Sequence, residues 1–334
     1  MMSKSHATPF ALFQIVICAV LLTVMSVSSV SGFDSTGEPP AIWQATPEEL
    51  PFDDATHPVF LIASYYNAIS LGDYARAYAY WNGNEPGGAT LADFTQGFAD
   101  TDSVEGWAML PLATEGAAGS IYAEVPVLLR ATLTDSDEQL FAGCFTTRRS
   151  NVPVGNAPEP NPNWHLFDAT LQEIGALDVD EATAACTRVE SFPLSSPFND
   201  ALQPIDLLIS YYDAVSLGDY ARAYSYWSGQ PRNQTLEDFV DGFVGTEDIG
   251  LLVGLIFHVE GAAGSIYTDI PTVITATNNE VSQFFAGCFV ARKSNVPVGD
   301  ATEPDPNWRF YDADIAAIGG LEEGLDMVVQ GCTQ

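Results

Sequence analysis

The chain has few basic residues. Lysine and arginine number 11 among 334 residues, against 44 aspartates and glutamates, so the formal net charge is −33. The only lysines are Lys4 and Lys293. A surface of this charge repels nucleic-acid backbones and anionic lipid headgroups. The sequence therefore argues against a nucleic-acid partner and favours a solubility adaptation, with cationic partners or a saline habitat as the alternative.

Long hydrophobic runs are absent beyond the start of the chain. A membrane-spanning helix needs about 20 apolar residues, and no segment after residue 32 offers them. At the start, Lys4 and His6 precede the apolar run Phe10–Met25, and small residues follow at Ser28–Gly32. This order is typical of a secretory signal peptide, which we assign to residues 1–32; an uncleaved anchor is the alternative. We expect a secreted, periplasmic or cell-surface protein without a membrane span after signal removal.

The rest of the chain contains an internal duplication. The segment YYNAISLGDYARAYAYW at Tyr65–Trp81 returns as YYDAVSLGDYARAYSYW at Tyr211–Trp227. The motif EGAAGSIY at Glu115–Tyr122 returns at Glu260–Tyr267 with nearly the same spacing. Two tandem domains explain a period this long better than a solenoid does. We assign a Pro- and acid-rich flexible tether to residues 33–56, a first domain to 57–190, a linker to 191–202 and a second domain to 203–334.

Four cysteines follow the predicted signal peptide, two in each repeat. Cys144 and Cys288 share the motif FAGCF, and Cys186 and Cys332 follow them at similar distances. Four cysteines permit three connectivities, and the duplication selects Cys144–Cys186 and Cys288–Cys332. Buried free thiols are the alternative. No CxxC spacing occurs and no histidine recurs between the repeats, so the sequence predicts neither a metal site nor a cofactor.

Hydrophobic periodicity changes within each repeat from that of helices to that of strands. Leu61, Tyr65 and Ala68 form an apolar line with the spacing of a helix. From Ile121 to Leu133 apolar residues alternate with period two, as in a strand with one buried face. Each repeat therefore reads as three helices followed by about four antiparallel strands. We predict an α+β fold of two tandem cone-shaped domains, each with N-terminal helices on the concave face of a curved antiparallel sheet.

This order of elements resembles the nuclear transport factor 2-like (SnoaL-like) superfamily. The resemblance is carried by YYNAISLGDYARAYAYW, TLADFTQGF, VPVLLRATL, FAGCFTTRRS and NWHLFDATL, all of which recur in the second repeat. It covers nearly all of both repeats and implies a cone whose sheet wraps the first helix, often around a pocket. That fold supports isomerases, dehydratases, polyketide cyclases and non-catalytic binding domains, so it does not select a function. A tetratricopeptide-like helix pair is the alternative for the GDYARAY turn.

The residues that would line such a pocket are aromatic residues of the opening helices and one acid of the last strand. The candidates are Tyr65, Tyr66, Tyr78, Trp81 and Asp168 in the first repeat, and Tyr211, Tyr212, Tyr224, Trp227 and Asp312 in the second. Tyrosine combines an apolar ring with a polar tip, which suits a ligand pocket. Asp168 lies two residues after Leu166, so in a regular strand it faces the core if Leu166 does, which makes it a candidate acid; an exposed strand residue is the alternative.

Two arginines recur in a chain with few bases. Arg76 and Arg222 occupy the same position of the GDYARAY turn, and a half-buried arginine usually pairs with a carboxylate. We predict structural ion pairs, with Asp168 and Asp312 as partners; an anion-binding role is the alternative.

No complete acid–base, nucleophile or metal set is shared by the two repeats. We therefore predict a non-catalytic binding or interaction protein, whose partner is a small molecule or an extracellular protein. The recurring Pro-rich loops Ser150–Trp164 and Ser294–Trp308 are candidate recognition loops, with covering of a sheet edge as the alternative. Two linked domains would give avidity, or would pack on each other as a pseudo-twofold pair. The alternative function is an isomerase, dehydratase or cyclase that uses a Tyr/Asp pocket inside the cone.

Overall fold

The protein is described by a computed structural model. It covers residues 52–332, without residues 86–87, 154, 156, 232–233, 279–280, 298, 300 and 331. The predicted signal peptide and residues 33–51 of the predicted tether lie outside the described residues.

The first repeat consists of three short helices, five strands and a final helix. They are α1 (Pro58–Ser70), α2 (Tyr74–Ala79), α3 (Leu91–Gly97), β1 (Thr101–Leu110), β2 (Ala113–Ala117), β3 (Ser120–Leu133), β4 (Glu138–Ser150), β5 (His165–Ile174) and α4 (Val179–Ala185).

The second repeat has the same order. Its elements are α5 (Pro204–Ser216), α6 (Tyr220–Ser225), α7 (Leu236–Asp241), β6 (Asp248–Gly254), β7 (Val259–Ala262), β8 (Ser265–Asn278), β9 (Val281–Ser294), β10 (Arg309–Ile318) and α8 (Leu321–Val329).

Local capping interactions define where the helices begin. Pro58 opens α1, where its missing N–H costs nothing. The side chain of Asp73 accepts a hydrogen bond from the backbone of Arg76 and caps α2. Thr90 and Asp93 form a reciprocal capping box at α3. The second repeat has the same α6 cap and α7 capping box, so identical sequence signals produce identical helix starts.

All ten strands form one antiparallel sheet that includes both repeats. Its order is β10-β9-β8-β6-β1-β3-β4-β5, with β2 paired to β3 and β7 paired to β8. The repeats meet where β1 pairs with its counterpart β6. The fold is therefore α+β with a large curved antiparallel sheet, as predicted. The finer prediction of two separate tandem cones is not confirmed, because the strands of both repeats belong to one continuous sheet.

The register of β1 and β6 is that of a local twofold axis. Ala108 pairs with its equivalent Val253 at the centre. On either side, Trp107 pairs with Gly254 and Met109 pairs with Leu252. These two flanking pairs exchange when the repeats are exchanged, since Leu252 and Gly254 occupy the positions of Trp107 and Met109. Each repeat thus offers the same strand edge to the other, as in an isologous interface.

Helices cover both faces of the sheet. The larger core lies between the sheet and the helices α1 to α3 and α5 to α7, and includes Ala108 and Phe145. A second core lies on the opposite face under α4 and α8, and includes Trp107 and Leu325. The sequence analysis did not predict α4 and α8. In the structure they cover apolar side chains that would otherwise face solvent.

Contacts of α8 reach across from the second repeat to the first. Trp107 Nε1 donates a hydrogen bond to the carbonyl oxygen of Leu325 at 3.2 Å. Arg130 pairs with Asp326 at 2.7 Å and with Glu105 at 3.1 Å, and its guanidinium lies 5.4 Å from the Trp107 ring centre. The repeats are therefore joined on this face as well as through the sheet.

The segments that precede α1 and α5 pack against those helices, although the sequence predicts a flexible tether and a linker there. Asp54 exchanges hydrogen bonds with the buried Ser64 through its backbone N–H and carbonyl. In the linker, Phe192 is buried and Asp200 makes the same two bonds with Ser210. Among the described residues, no helix is long and apolar enough to cross a membrane.

Candidate functional site

The four helix tyrosines predicted to line a pocket lie in the packed core. Tyr65 and Tyr66 are 4% and 5% exposed, and both rings contact Phe145 edge-on. Tyr211 and Tyr212 contact Phe289 in the same way. Burial raises the pKa of all four hydroxyls well above the ordinary value. These tyrosines therefore hold the helices on the sheet and lie in the core.

The other aromatic candidates have mixed positions. Tyr78 donates a hydrogen bond to the carbonyl of Ala89 at 2.9 Å, and Tyr224 makes the matching bond to Gln234 at 2.8 Å. Trp81 is buried in the core. Trp227 and Asp312 do come together, at an open depression of about 390 Å³ that also includes Tyr311.

The candidate acids Asp168 and Asp312 are exposed on the strand surface. A β-bulge causes this: Leu166 pairs with Thr147 and Asp168 with the adjacent Thr146, so Phe167 is an extra residue. The bulge shifts the alternation by one, and Asp168 faces solvent although Leu166 is buried. The same shift lies between Phe310 and Asp312. Of the two orientations that the sequence leaves open for these acids, the structure has the exposed one.

Arg76 and Arg222 do form structural ion pairs, but with other partners than predicted. Arg76 Nε donates to Asp73, and Arg222 Nε donates to Asp219, each at 3.2 Å. Arg222 also pairs with the buried Asp213 at 3.0 Å. The predicted partners Asp168 and Asp312 are not involved, because their side chains point to solvent.

Both predicted disulfides form. Cys144 in β4 is bonded to Cys186 at the end of α4, and Cys288 in β9 is bonded to Cys332 after α8. Each bond attaches a terminal helix to the sheet face opposite α1 and α5. Glu124 lies close enough to Cys144 and Cys186 to suggest a metal cluster. Bonded sulfurs offer no thiolate, so these residues do not fit a metal site.

An open cleft of about 630 Å³ lies between the two repeats, which we call the inter-repeat cleft. Its walls come from the start of α1, the β1–β2 connection, the end of β4, the linker and α5. Residues that define it include His57, Leu112, Arg149, Trp164, Phe198 and Asp206. Its volume is in the range of small-molecule sites. Trp164 and Pro162 belong to the recurring Pro-rich loop, so one end of this loop borders the cleft.

The cleft exists because the two repeats differ at two positions. On the twofold-related side, Phe257 packs against Phe60 at 4.8 Å and against Phe52 at 5.8 Å between ring centres. We call these three residues the aromatic cluster. Their equivalents are Leu112, Asp206 and Phe198, which all line the cleft. Replacement of two phenylalanine rings by leucine and aspartate leaves space on one side that aromatic rings fill on the other.

His57 and Asp206 join the two repeats at the edge of this cleft. His57 Nδ1 accepts a hydrogen bond from the backbone N–H of Val59 at 3.2 Å, which caps α1. His57 Nε2 lies 3.6 Å from Asp206 Oδ1. A neutral imidazole with Nδ1 as acceptor carries its proton on Nε2, facing the carboxylate. Nδ1 is thus engaged by the start of α1 and Nε2 faces Asp206, so His57 links the two repeats at the edge of the cleft.

Arg149 brings the positive charge of the cleft. Its guanidinium lies 5.1 Å from the ring centre of Trp164, and the backbone N–H of Trp164 is held by Ala55 at 2.7 Å. Arg149 Nε is buried and has no hydrogen-bond partner among the described residues. The second repeat places Lys293 over Trp308 at 4.8 Å. The cation–aromatic pair thus recurs, but only Arg149 lies in the cleft.

A second open depression, of about 600 Å³, lies on the other side of Trp164 and includes Tyr80 and His165. The Tyr80 hydroxyl donates to Asp53 at 2.7 Å, and its partial burial raises the pKa of Tyr80 to about 12. Burial and the Arg148 charge lower the pKa of His165. The two side chains lack a shared partner among the described residues, so we do not assign them a reaction.

Sequence reasoning missed the cleft because it searched for residues shared by both repeats. His57 is matched by Gln203, Asp206 by Phe60 and Leu112 by Phe257. The sequence signal for the cleft therefore lay in the positions at which the two otherwise similar repeats differ. Comparison with known proteins adds no assignment: no family model, curated protein or solved structure matches this chain.

Proposed function

We propose that this chain is a non-catalytic binding protein whose two repeats together form one ligand site, the inter-repeat cleft. The observation that carries the proposal is the replacement of Phe60 and Phe257 by Asp206 and Leu112 at the twofold-related position. The cleft lies where the twofold-related position holds three packed aromatic rings, in a chain whose sheet is continuous, and this difference separates the site from ordinary packing. The duplication then supplies two walls of one site rather than two tethered sites.

The contacts of the candidate pocket residues and of His57 support binding over chemistry. The core tyrosines are surrounded by other rings, Asp168 and Asp312 face solvent, and His57 Nδ1 accepts from Val59 while Nε2 faces Asp206. A general base must reach a substrate proton with a free lone pair. The cleft instead offers apolar walls with a few polar groups, as ligand sites do.

The test fills the cleft with the side chains that the protein already uses on the other side. The variant Leu112→Phe/Asp206→Phe reproduces the aromatic cluster, so we expect it to fold and to lose binding. The reporter is N-phenyl-1-naphthylamine, a neutral dye whose fluorescence rises in apolar surroundings. Unchanged dye affinity in this variant would show that the cleft is not the site.

A second pair of variants tests the cleft even if the double variant misfolds. Leu202 lines the cleft and is 52% exposed, so Leu202→Trp obstructs the cleft without altering the core. Leu217 lies outside the lining and is 45% exposed, so Leu217→Trp is its matched control. We expect weaker dye binding only in Leu202→Trp; equal affinity in both variants would argue against the cleft.

We also propose that the protein is exported. Its two disulfides are compatible with an extracellular location, where such bonds persist. N-terminal sequencing of the native protein is the test, with a mature terminus expected near Gly32. A cytoplasmic chain that still begins at Met1 would refute export.

The superfamily resemblance remains a proposal of the same kind. It is supported by three helices that precede a curved antiparallel sheet in each repeat, and by Tyr65 and Tyr211 packed between helix and sheet. A crystal structure of the full chain, superposed on nuclear transport factor 2-like proteins, tests it. A different strand order in those proteins would refute the relationship.

A further inference from the structure

The inter-repeat cleft contains one arginine that has no acidic partner. Arg149 forms no ion pair among the described residues, although the chain has 44 acidic residues. Its Nε is buried without a hydrogen-bond partner in that part of the chain. An unpaired buried donor is costly, and a charged one more so. A ligand anion at the accessible part of the same guanidinium would offset its unpaired charge.

The acidic groups near Arg149 in the cleft are largely occupied. Asp206 Oδ1 faces His57 Nε2 at 3.6 Å. Asp200 Oδ1 accepts the backbone N–H of Leu202 at 2.8 Å. Glu190 lies at the exposed rim. The guanidinium is therefore the polar group of the cleft most able to meet an incoming ligand.

The geometry of Arg149 suits an oxyanion. The ring of Trp164 lies under its guanidinium. Trp164 is buried and its backbone N–H donates to the carbonyl oxygen of Ala55, so this residue is fixed in place beside Arg149. A guanidinium that lies over an aromatic ring still has N–H groups that can donate to the paired oxygens of a carboxylate or sulfonate. Around it, Leu112, Leu194 and Phe198 provide apolar contact.

We propose that the inter-repeat cleft binds an amphipathic organic acid, with its anionic head on Arg149 and its apolar body against Leu112, Leu194 and Phe198. This rests on the proposed function, because it specifies the ligand of the same site. Lys293 over Trp308 is the equivalent cation outside the cleft and serves as its natural control.

The experiment uses two dyes with the same ring system on the full mature chain. 8-Anilinonaphthalene-1-sulfonate carries a sulfonate that N-phenyl-1-naphthylamine lacks. Arg149→Met keeps the stem that covers Trp164 and removes the charge. We expect this substitution to lower the affinity for the sulfonate dye about 10- to 100-fold, because one charge-assisted hydrogen bond is lost. The affinity for the neutral dye should change by no more than about twofold. Lys293→Met should change the affinity for neither dye.

A competition experiment tests whether the cleft recognises a carboxylate or only the dye itself. Decanoate should displace the sulfonate dye from the native chain, and decylammonium, with the same chain length and opposite charge, should do so poorly. Stronger displacement by decylammonium would overturn the proposal, because the acids of the cleft would then select the ligand.

The salt dependence gives an independent readout. The net charge of −33 repels an anion at long range, and this repulsion is screened beyond about 8 Å at physiological ionic strength. The contact with half-buried Arg149 is screened less. We therefore expect affinity for the sulfonate dye to hold or rise between low and physiological salt. A steep fall would indicate binding to exposed surface cations and would contradict the proposal.

The two proposals fail in different ways. If Leu112→Phe/Asp206→Phe abolishes binding of both dyes but Arg149→Met weakens neither, the cleft is a site and its ligand is not an acid. If the cleft-filling and rim variants bind both dyes as the native chain does, the cleft itself is not the site.

Discussion

Arg222 donates a hydrogen bond from its guanidinium to Oδ2 of Asp213 at 3.0 Å, and Asp213 is completely buried. The backbone N–H groups of Leu194 and Phe198 donate to the same carboxylate. In the first repeat Asn67 takes the place of Asp213, and Arg76 donates to its Oδ1, also at 3.0 Å. One guanidinium position thus meets a carboxylate in one repeat and a neutral amide in the other.

Arg222→Met should therefore destabilise the protein more than Arg76→Met. Loss of Arg222 leaves a buried carboxylate without its cation, which costs about 3–5 kcal/mol. Loss of Arg76 leaves an amide oxygen that keeps the backbone N–H of Phe52 as donor, at a cost of about 1–3 kcal/mol. The other arginine contacts match between repeats, so urea unfolding of the two variants isolates the charge. Asp213→Asn in the Arg222→Met background should restore part of the loss; equal losses in both single variants would contradict this account.

The disulfides should contribute similar stability but have different local effects. They close loops of 42 and 44 residues, so removal of either by paired Cys→Ser substitution should cost about 2–5 kcal/mol. Helix α8 contacts the first repeat through Leu325 and Asp326, whereas α4 packs on β3 and β4 of its own repeat. Loss of Cys288–Cys332 should therefore raise hydrogen exchange around Trp107, while loss of Cys144–Cys186 should not. Peptide mapping without reduction checks the connectivity, and a peptide that joins Cys144 to Cys288 would refute it.

The sequence was sufficient for the features that repeat. The helix starts at Asp73 and Thr90, the long strand from Ile121 to Leu133 and both disulfides depend on local signals that occur twice. Duplication made them easier to recognise, because a pattern found in both repeats must serve a shared fold. Sequence alone could therefore predict the α+β class and the order of most elements.

The features that sequence reasoning missed depend on relations between elements distant in the chain. The bulge at Phe167 is visible only when β5 is aligned with β4, and it alone reverses the predicted direction of Asp168. The pairing of β1 with β6 brings Leu112 near Asp206, and neither position is informative until the repeats are placed together. A search for shared residues removed His57 from consideration because Gln203 replaces it.

Substitution of the exposed acids should have little effect. Asp168→Asn and Asp312→Asn remove exposed carboxylates that accept hydrogen bonds from the backbone N–H groups of Ala169 and Ala313. We expect each to change the free energy of unfolding by no more than about 0.5 kcal/mol. Leu166→Ala, on the buried side of the same strand, should cost about 2–5 kcal/mol. Thermal unfolding of the three variants measures this, and a large effect of Asp168→Asn would show that its side chain faces the core.

A final prediction concerns two equivalent carboxylates in opposite environments. Glu124 accepts hydrogen bonds from the Thr187 hydroxyl and the backbone N–H of Arg188. Its counterpart Asp269 is half-buried, and burial raises the pKa of Asp269, with Glu260 adding to the shift and His258 opposing it. The charged form of Asp269 is therefore disfavoured in the folded protein.

The pH dependence follows from the direction of that shift. A carboxyl group with a raised pKa in the folded state stabilises the fold fully below its unfolded pKa of about 3.8 and loses that contribution as pH rises through the folded value. Asp269→Asn should therefore raise the melting temperature at pH 7, and this gain should vanish as pH falls toward 3.5. Glu124→Gln should instead lower the melting temperature at pH 7, because two donors lose a charged acceptor. Calorimetry at both pH values checks the pair, and a lower melting temperature for Asp269→Asn at pH 7 would show that the ionised carboxylate is a favourable part of the fold.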